Sequence, residues 1–138
     1  MKALVLSGGG AKGSYQVGVW KALKKINYKY KIITGTSVGA INGALMTQKA
    51  YRKSINLWNK MDFDLIFGED VIETNNNIEL YKIYGKNYLK NGGMNVKKLE
   101  ELIEKTVDKK AFYNSKINFG LTTYNLTKNN LYTYKKKI

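Results

Sequence analysis

Two short apolar segments, each running directly into a glycine-rich turn, occur close together at the start of this chain. Lys2 to Ser7 precedes the first turn, and Tyr30 to Thr34 precedes the second. The residues between them are long enough for one helix, and a helical crossover joins strands that pair in parallel. The pattern therefore predicts an α/β protein with a mainly parallel sheet, in which both turns lie at the same edge.

The first turn, Gly8-Gly9-Gly10-Ala11-Lys12-Gly13, exposes backbone N–H groups with few side chains in the way. It opens a predicted helix over Ser14 to Lys25, whose positive dipole end faces whatever the turn binds. Apolar residues recur along this helix at helical spacing, namely Tyr15, Val19, Ala22, Leu23 and Ile26. The segment predicts an anion hole made of amides, although a glycine run by itself is equally typical of a tight strand-to-helix turn.

Two nucleotide-binding interpretations of this turn fail on neighbouring residues. The glycines match G-x-G-x-x-G, but a dinucleotide site needs an acidic residue about 20 positions further on. The first acidic residue of the chain is Asp62. A phosphate-binding Walker loop needs Ser or Thr after its lysine, whereas Gly13 follows Lys12.

The second turn, Gly35-Thr36-Ser37-Val38-Gly39, has the G-x-S-x-G pattern of a nucleophile elbow, in a chain with no histidine. The usual Ser-His-Asp triad is therefore excluded. If Ser37 is a nucleophile, its base must be another group, and an Asp acting directly is the simplest candidate. Taken alone, G-x-S-x-G is also compatible with an ordinary turn.

The spacing of the two turns strengthens the functional interpretation. Parallel strands bring their carboxyl ends to one edge of a sheet, so the glycine amides and the Ser37 hydroxyl are expected side by side. A nucleophile next to several N–H donors is the arrangement that acyl transfer requires, because the donors stabilise the tetrahedral oxyanion. We therefore predict an acyl-transfer site at this edge.

These residues resemble the N-terminal part of the catalytic domain of patatin-like phospholipases. The resemblance is specific over residues 1–48, and it covers the first strand, the glycine turn with Tyr15, Gly18 and Val19, and the elbow with residues 40–44. It implies a three-layer α/β/α fold and a lipid acyl hydrolase that acts on phospholipid or other lipid esters through a Ser-Asp dyad. Ser37 would be the nucleophile, and the elbow would comprise Gly35, Thr36, Val38 and Gly39. The oxyanion hole would comprise the amides of Gly8, Gly9, Gly10, Ala11, Lys12 and Gly13.

The chain departs from the family pattern in the residue that would act as the catalytic base. The family's dyad Asp is followed by Gly, in Asp-Gly-Gly or Asp-Gly-Ala, but none of the four Asp here precedes a Gly: Asp62, Asp64, Asp70 and Asp108. We therefore expect residues 1–138 to be the N-terminal portion of one catalytic domain, incomplete at the C-terminus and inactive by itself, with the Asp beyond Ile138. The alternative is a catalytically inactive module that binds lipid or phosphate through the anion hole.

Composition restricts cofactors and location. The chain has no Cys and no His, so disulfides and thiolate metal sites are excluded, a zinc site is not expected, and no cofactor is predicted. The N-terminus matches neither a signal peptide nor a membrane span. These features predict a cytoplasmic protein.

The formal net charge of +14 is concentrated in the first half of the chain. Residues 1–61 carry 11 Lys or Arg and no acidic residue. A basic face of this kind suits peripheral contact with anionic membranes. The alternative is the composition of an AT-rich genome, since Asn, Ile and Tyr are also abundant. No nucleic-acid partner is expected, because no binding signature is present and lysine reads bases poorly.

The remaining segments predict mainly helices followed by a hairpin. Helices are expected over 37–48 and 54–61, and an amphipathic helix capped by Asn95 should present Leu99, Leu102, Ile103 and Val107 to the interior. Residues 62–94 are apolar and aromatic, typical of packed core or of a cover over a lipid groove. Strands are predicted over 116–124 and 131–134, with a turn at 128–130 and a solvated lysine-rich end at 135–137.

The glycine turn generates a first testable prediction. NAD, NADP and ATP should not bind, because the turn lacks both an acidic partner for ribose hydroxyls and a Lys-Ser or Lys-Thr pair. Isothermal titration of the chain with each nucleotide measures this directly. Micromolar affinity for any of the three would reinstate a nucleotide-binding interpretation.

Overall fold

A computed structural model of the chain describes residues 1–61, 97–125 and 127–136. The described residues form four strands and five α-helices, with a short 3₁₀ turn at Gly10–Lys12 between the first strand and the first helix. The strands are β1 Ala3–Leu6, β2 Ile32–Gly35, β3 Asn118–Asn125 and β4 Asn130–Lys135. The helices are α1 Gly13–Lys25, α2 Val38–Thr47, α3 Tyr51–Lys60, α4 Lys97–Thr106 and α5 Lys109–Asn114.

The strands form one sheet in the order β1-β2-β3-β4. β1 pairs with β2 in parallel, β2 pairs with β3 in parallel, and β4 returns antiparallel to β3. The predicted α/β class, the mainly parallel sheet and the final hairpin are therefore confirmed. Both glycine-rich turns follow the carboxyl ends of neighbouring strands.

Helix α2 packs closely on one face of this sheet. A Cβ placed on Gly43 would lie 2.8 Å from Cε2 of Phe119 and 3.0 Å from Cγ2 of Ile33, so a residue without a side chain is needed there. Ile33, at this contact, and Leu45, in the same helix as Gly43, are fully buried. The ring of Phe112 in α5 packs edge-on to Phe119 on the same face. The core thus lies between the sheet and these helices.

The opposite face of the sheet is open at β1 in the part of the chain that the structure describes. Val5 is 82% exposed, and Ala3, on the same side of the strand, is also exposed. A second layer of helices, which the three-layer prediction requires, is not among the described residues.

The apolar residues noted at helical spacing along α1 are not its buried face. Tyr15, Val19 and Ile26 are exposed, whereas Val17 and Trp20 are buried. The reason is a tertiary contact, because the Trp20 ring packs edge-on to the Tyr51 ring of α3 with centroids 5.1 Å apart. Both sets of residues, the exposed one with Tyr15 and the buried one with Trp20, have helical spacing. The set that contains Trp20 is buried because it packs against α3.

By its contacts the chain divides into two compact units, Met1–Asn59 with Thr106–Ile138, and Lys60–Lys105. The second unit includes most of α4, in which Leu99, Leu102 and Ile103 are half-buried while its charged residues are exposed. This agrees with the predicted amphipathic helix. The predicted cap Asn95 and the apolar segment 62–94 lie outside the described residues. Within the described residues, no helix has the length and apolar character to cross a bilayer.

Two features of the C-terminal region were not predicted. Helix α5 was missed, and Lys136, assigned to a solvated end, is buried. The Lys136 amide donates to the Phe119 carbonyl at 2.8 Å, which extends the strand pairing and turns the lysine side chain to the helix-covered face. Its Nζ donates to the carbonyls of Ser115 and Ile117, and burial lowers its pKa.

Asp108 caps α5, which generates a second prediction. Its carboxylate accepts a hydrogen bond from the Ala111 amide at 2.9 Å, so Asp108→Ala should lower the free energy of unfolding by about 1 kcal/mol. Asp108→Asn should retain most of the stability, because Asn caps helices equally well. Urea denaturation measures both. An equal loss in the two variants would show that the cap does not stabilise the protein.

Candidate active site

Ser37 stands at a sharp turn between β2 and α2. Its backbone has φ 55° and ψ −130°, a left-handed conformation that costs a non-glycine residue about 1–3 kcal/mol. The turn is held on both sides, because the Thr36 amide donates to the Leu6 carbonyl at 3.1 Å and the Gly39 amide donates to the Thr36 carbonyl at 3.0 Å. A strained, exposed serine at a strand-to-helix turn is the geometry of a nucleophile elbow.

The glycines that flank Ser37 are required by close backbone contacts. A Cβ on Gly39 would lie 2.3 Å from the carbonyl oxygen of Leu6 and 2.6 Å from that of Ser7. A Cβ on Gly35 would lie 2.3 Å from the carbonyl oxygen of Gly39. Neither position has room for a side chain, which explains the G-x-S-x-G spacing sterically.

The structure brings the glycine turn and Ser37 together. A Cβ on Gly8 would lie 3.1 Å from the Ser37 Cβ and 3.7 Å from the Ser37 Oγ. The backbone of the first glycine therefore runs alongside the serine side chain. This is the juxtaposition that parallel pairing of β1 and β2 predicts.

The glycine turn leaves four amides without internal partners. Gly9 and Gly10 have positive φ values of 141° and 53°, which turn the chain back toward α1. The Lys12 amide donates to the Gly9 carbonyl at 3.1 Å, and the Gly13 amide is directed at the carbonyls of Gly10 and Ala11. Among the described residues, the other four predicted donors have no acceptor: the amides of Gly8, Gly9, Gly10 and Ala11.

The Ser37 hydroxyl makes no hydrogen bond to any residue in 1–61, 97–125 and 127–136. The Asp108 amide donates to the Gln48 side chain at the far end of α2, and a helix of 10 residues spans about 15 Å. Asp108 is therefore too far from Ser37 to act as its base. Asp62, Asp64 and Asp70 lie outside the described residues.

Behind the elbow, side-chain amides form a buried cluster that sequence reasoning missed. Asn42 is 1% exposed and bonds to Gly13, Gln16 and Trp58. A single amide within the apolar helix Val38–Thr47 was the available signal, but its partners lie on other helices. Within the described part of the chain, no group of His, Cys, Asp or Glu residues is suited to hold a metal ion.

Comparison with known proteins places these features in a family. The family model described as Patatin-like phospholipase matches residues 4–138. Lysophospholipase nte1 of Aspergillus terreus is 57% identical over 47 residues, which are 34% of this chain and 3% of that protein. Patatin-like phospholipase domain-containing protein 7 of Rattus norvegicus is 46% identical over 55 residues, 40% of this chain and 4% of that protein. The chain thus spans a small fraction of these relatives.

The fold has a counterpart among solved structures. VipD from Legionella pneumophila superposes with a TM-score of 0.59 at 18% sequence identity, over 98% of this chain and 39% of that chain. The match supports the same α/β fold. With the family model covering nearly the whole sequence, the chain belongs to the patatin-like phospholipase family.

Proposed function

We propose that this chain is the nucleophile-bearing part of a lipid acyl hydrolase, a serine esterase of phospholipase A type. The observation that carries the proposal is the contact between Gly8 and Ser37, where a Cβ on the glycine would lie 3.1 Å from the serine Cβ. A strained serine and unpaired amides share one edge of a parallel sheet. Membership of the patatin-like family supports a lipid ester as the substrate.

In the proposed reaction, the Ser37 Oγ attacks the carbonyl carbon of a fatty ester while its proton passes to an Asp. The resulting oxyanion accepts hydrogen bonds from the amides of Gly8, Gly9, Gly10 and Ala11. The tetrahedral intermediate collapses, the alcohol leaves with the proton from the Asp, and the acyl group stays on Ser37. Water then attacks the acyl-enzyme, which releases the fatty acid and restores the serine.

The proposed base is an Asp in sequence that follows Ile138, in an Asp-Gly-Gly or Asp-Gly-Ala context. Family resemblance and the position of Asp108 at the far end of α2 support this assignment. An inactive module that binds lipid through the same amides remains the alternative. The two differ in turnover, since only the first requires a base.

Esterase activity gives the third prediction. A longer form that contains the Asp should hydrolyse p-nitrophenyl acyl esters, and Ser37→Ala should reduce its kcat/KM by roughly 10⁴-fold or more. Residues 1–138 by themselves should show little or no turnover, because none of their Asp residues has the Asp-Gly context of the family's base. Ser115→Ala, a serine at the end of α5, serves as the matched control and should retain activity.

Two outcomes would contradict this assignment. Strong turnover by residues 1–138, lost in Ser37→Ala, would show that the base lies within this chain. A longer form without turnover, which still binds lipid vesicles, would favour the inactive module.

We further propose peripheral contact of the first half of the chain with anionic membranes. A specific observation supports it: Tyr15 in α1 is 76% exposed, and Ile26, directly after this helix, is 70% exposed. Lys21 and Lys25 on the same helix are exposed, so apolar and cationic groups lie near each other at the surface. The Lys24 ammonium is excluded from this set, because it lies 4.4 Å from the centre of the Tyr51 ring.

Membrane contact gives the fourth prediction. Co-sedimentation with vesicles rich in acidic lipid should exceed that with neutral vesicles and fall as salt increases, because exposed charges are screened beyond about 8 Å at 0.15 M. The double change Lys21→Gln with Lys25→Gln should weaken binding by about 30-fold, at about 1 kcal/mol per lysine.

The double change Lys109→Gln with Lys110→Gln on α5 removes the same charge and serves as the matched control. It should weaken binding much less if α1 forms the contact. Equal sedimentation with acidic and neutral vesicles, or equal effects of the two double changes, would attribute the lysine excess to genome composition.

A further inference from the structure

The buried amide of Asn42 connects α2 to the glycine turn. Its Nδ2 donates to the Gly13 carbonyl and to the Gln16 Oε1, each at 2.9 Å. Its Oδ1 accepts a hydrogen bond from the Trp58 Nε1 at 2.8 Å. Both donor hydrogens and one acceptor site of the amide are therefore used inside the protein. Asn42 lies five residues after Ser37, on the helix that begins at the elbow.

Gln16 extends this connection to the other end of the glycine turn. Its Oε1 accepts the Asn42 hydrogen bond, and its Nε2 donates to the Ser7 carbonyl at 2.8 Å. Ser7 immediately precedes Gly8, and Gly13 ends the turn. Two side-chain amides thus fix both ends of the segment that contains the proposed oxyanion donors.

Other buried polar groups nearby do not have this arrangement. Thr47 is also buried in α2, but its Oγ1 donates to the Gly43 carbonyl one turn earlier in the same helix. The buried Ser54 Oγ has no partner among the described residues. Burial of an amide is costly unless it is paired, and the pairs of Asn42 all lie outside its own helix.

We propose that Asn42 is a positioning residue, which acts with Gln16 to fix the glycine turn relative to Ser37. The inference rests on the proposed acyl-transfer function. Oxyanion donors must lie about 2.7–3.1 Å from the developing charge, and a misplacement of about 1 Å can cost roughly 100-fold in rate. Gly8 runs beside Ser37, so a shift of the turn alters the distance that matters for the transition state.

The fifth prediction is a change in kcat without a matching change in KM. In the active, longer form, Asn42→Leu removes three hydrogen bonds while keeping the branching of the side chain, and it should lower kcat about 100-fold, with KM within about threefold. Thr47→Val is the matched control, because it removes a buried hydrogen bond from the same helix that does not reach the turn. It should lower stability but leave kcat near the wild-type value.

A second variant keeps the test decisive if Asn42→Leu folds poorly. Gln16→Met removes the hydrogen bond to Ser7 from a half-buried position and should also lower kcat. Combining the two changes should cost little more than Asn42→Leu alone, because both act through one connected set of bonds. Fully multiplicative losses would mean that the two residues act independently and would overturn the proposal.

Amide hydrogen exchange provides a readout that does not depend on turnover. In residues 1–138, exchange of the two hydrogen-bonded amides of the turn, those of Lys12 and Gly13, should accelerate at least about tenfold in Asn42→Leu and Gln16→Met, but not in Thr47→Val. Unchanged exchange in the first two variants, or the same acceleration in all three, would overturn the positioning role. If the longer form has no esterase activity, the proposed function fails, while the exchange result still decides whether Asn42 holds the turn.

Discussion

The backbone contact between Gly39 and the end of β1 determines where the other parts of the site lie. At this point the first turn of α2 approaches the carbonyl oxygens of Leu6 and Ser7 so closely that a Cβ would lie 2.3 Å from one of them. The contact brings the elbow against the start of the glycine turn. The side chains of Asn42 and Gln16 add hydrogen bonds to an arrangement that this backbone contact determines.

Hydrogen bonds on both sides of this contact stabilise it. The Thr36 amide donates to the Leu6 carbonyl, and the side-chain amides of Asn42 and Gln16 donate to the carbonyls at the two ends of the glycine turn. Trp58 closes the cluster from α3, where its ring packs against the position of Gly13 so tightly that a Cβ there would lie 2.4 Å away. The proposed chemistry needs donors held in place before the substrate arrives, and the proposed positioning role assigns that task to this packing.

The sequence was sufficient for features that depend on local geometry. The glycine turn and elbow each require residues without side chains, so their pattern predicted both turns and the parallel strands before them. The sequence was insufficient where a residue's burial depends on a packing or hydrogen-bond partner that is distant in the chain. The buried side of α1 depends on Tyr51, and the burial of Lys136 depends on where the β3-β4 pairing ends. The Asn42 contacts require three helices to be in place, so no local pattern indicates them.

The backbone conformation of Ser37 has a consequence for what a serine contributes at this position. At φ 55° a glycine would be relaxed, so a Ser37→Gly change would relieve a strain that a non-glycine residue carries at a cost of about 1–3 kcal/mol. The fold itself therefore gains no stability from a serine at this position. The proposed acyl transfer gives the hydroxyl a use that offsets the cost of the strain.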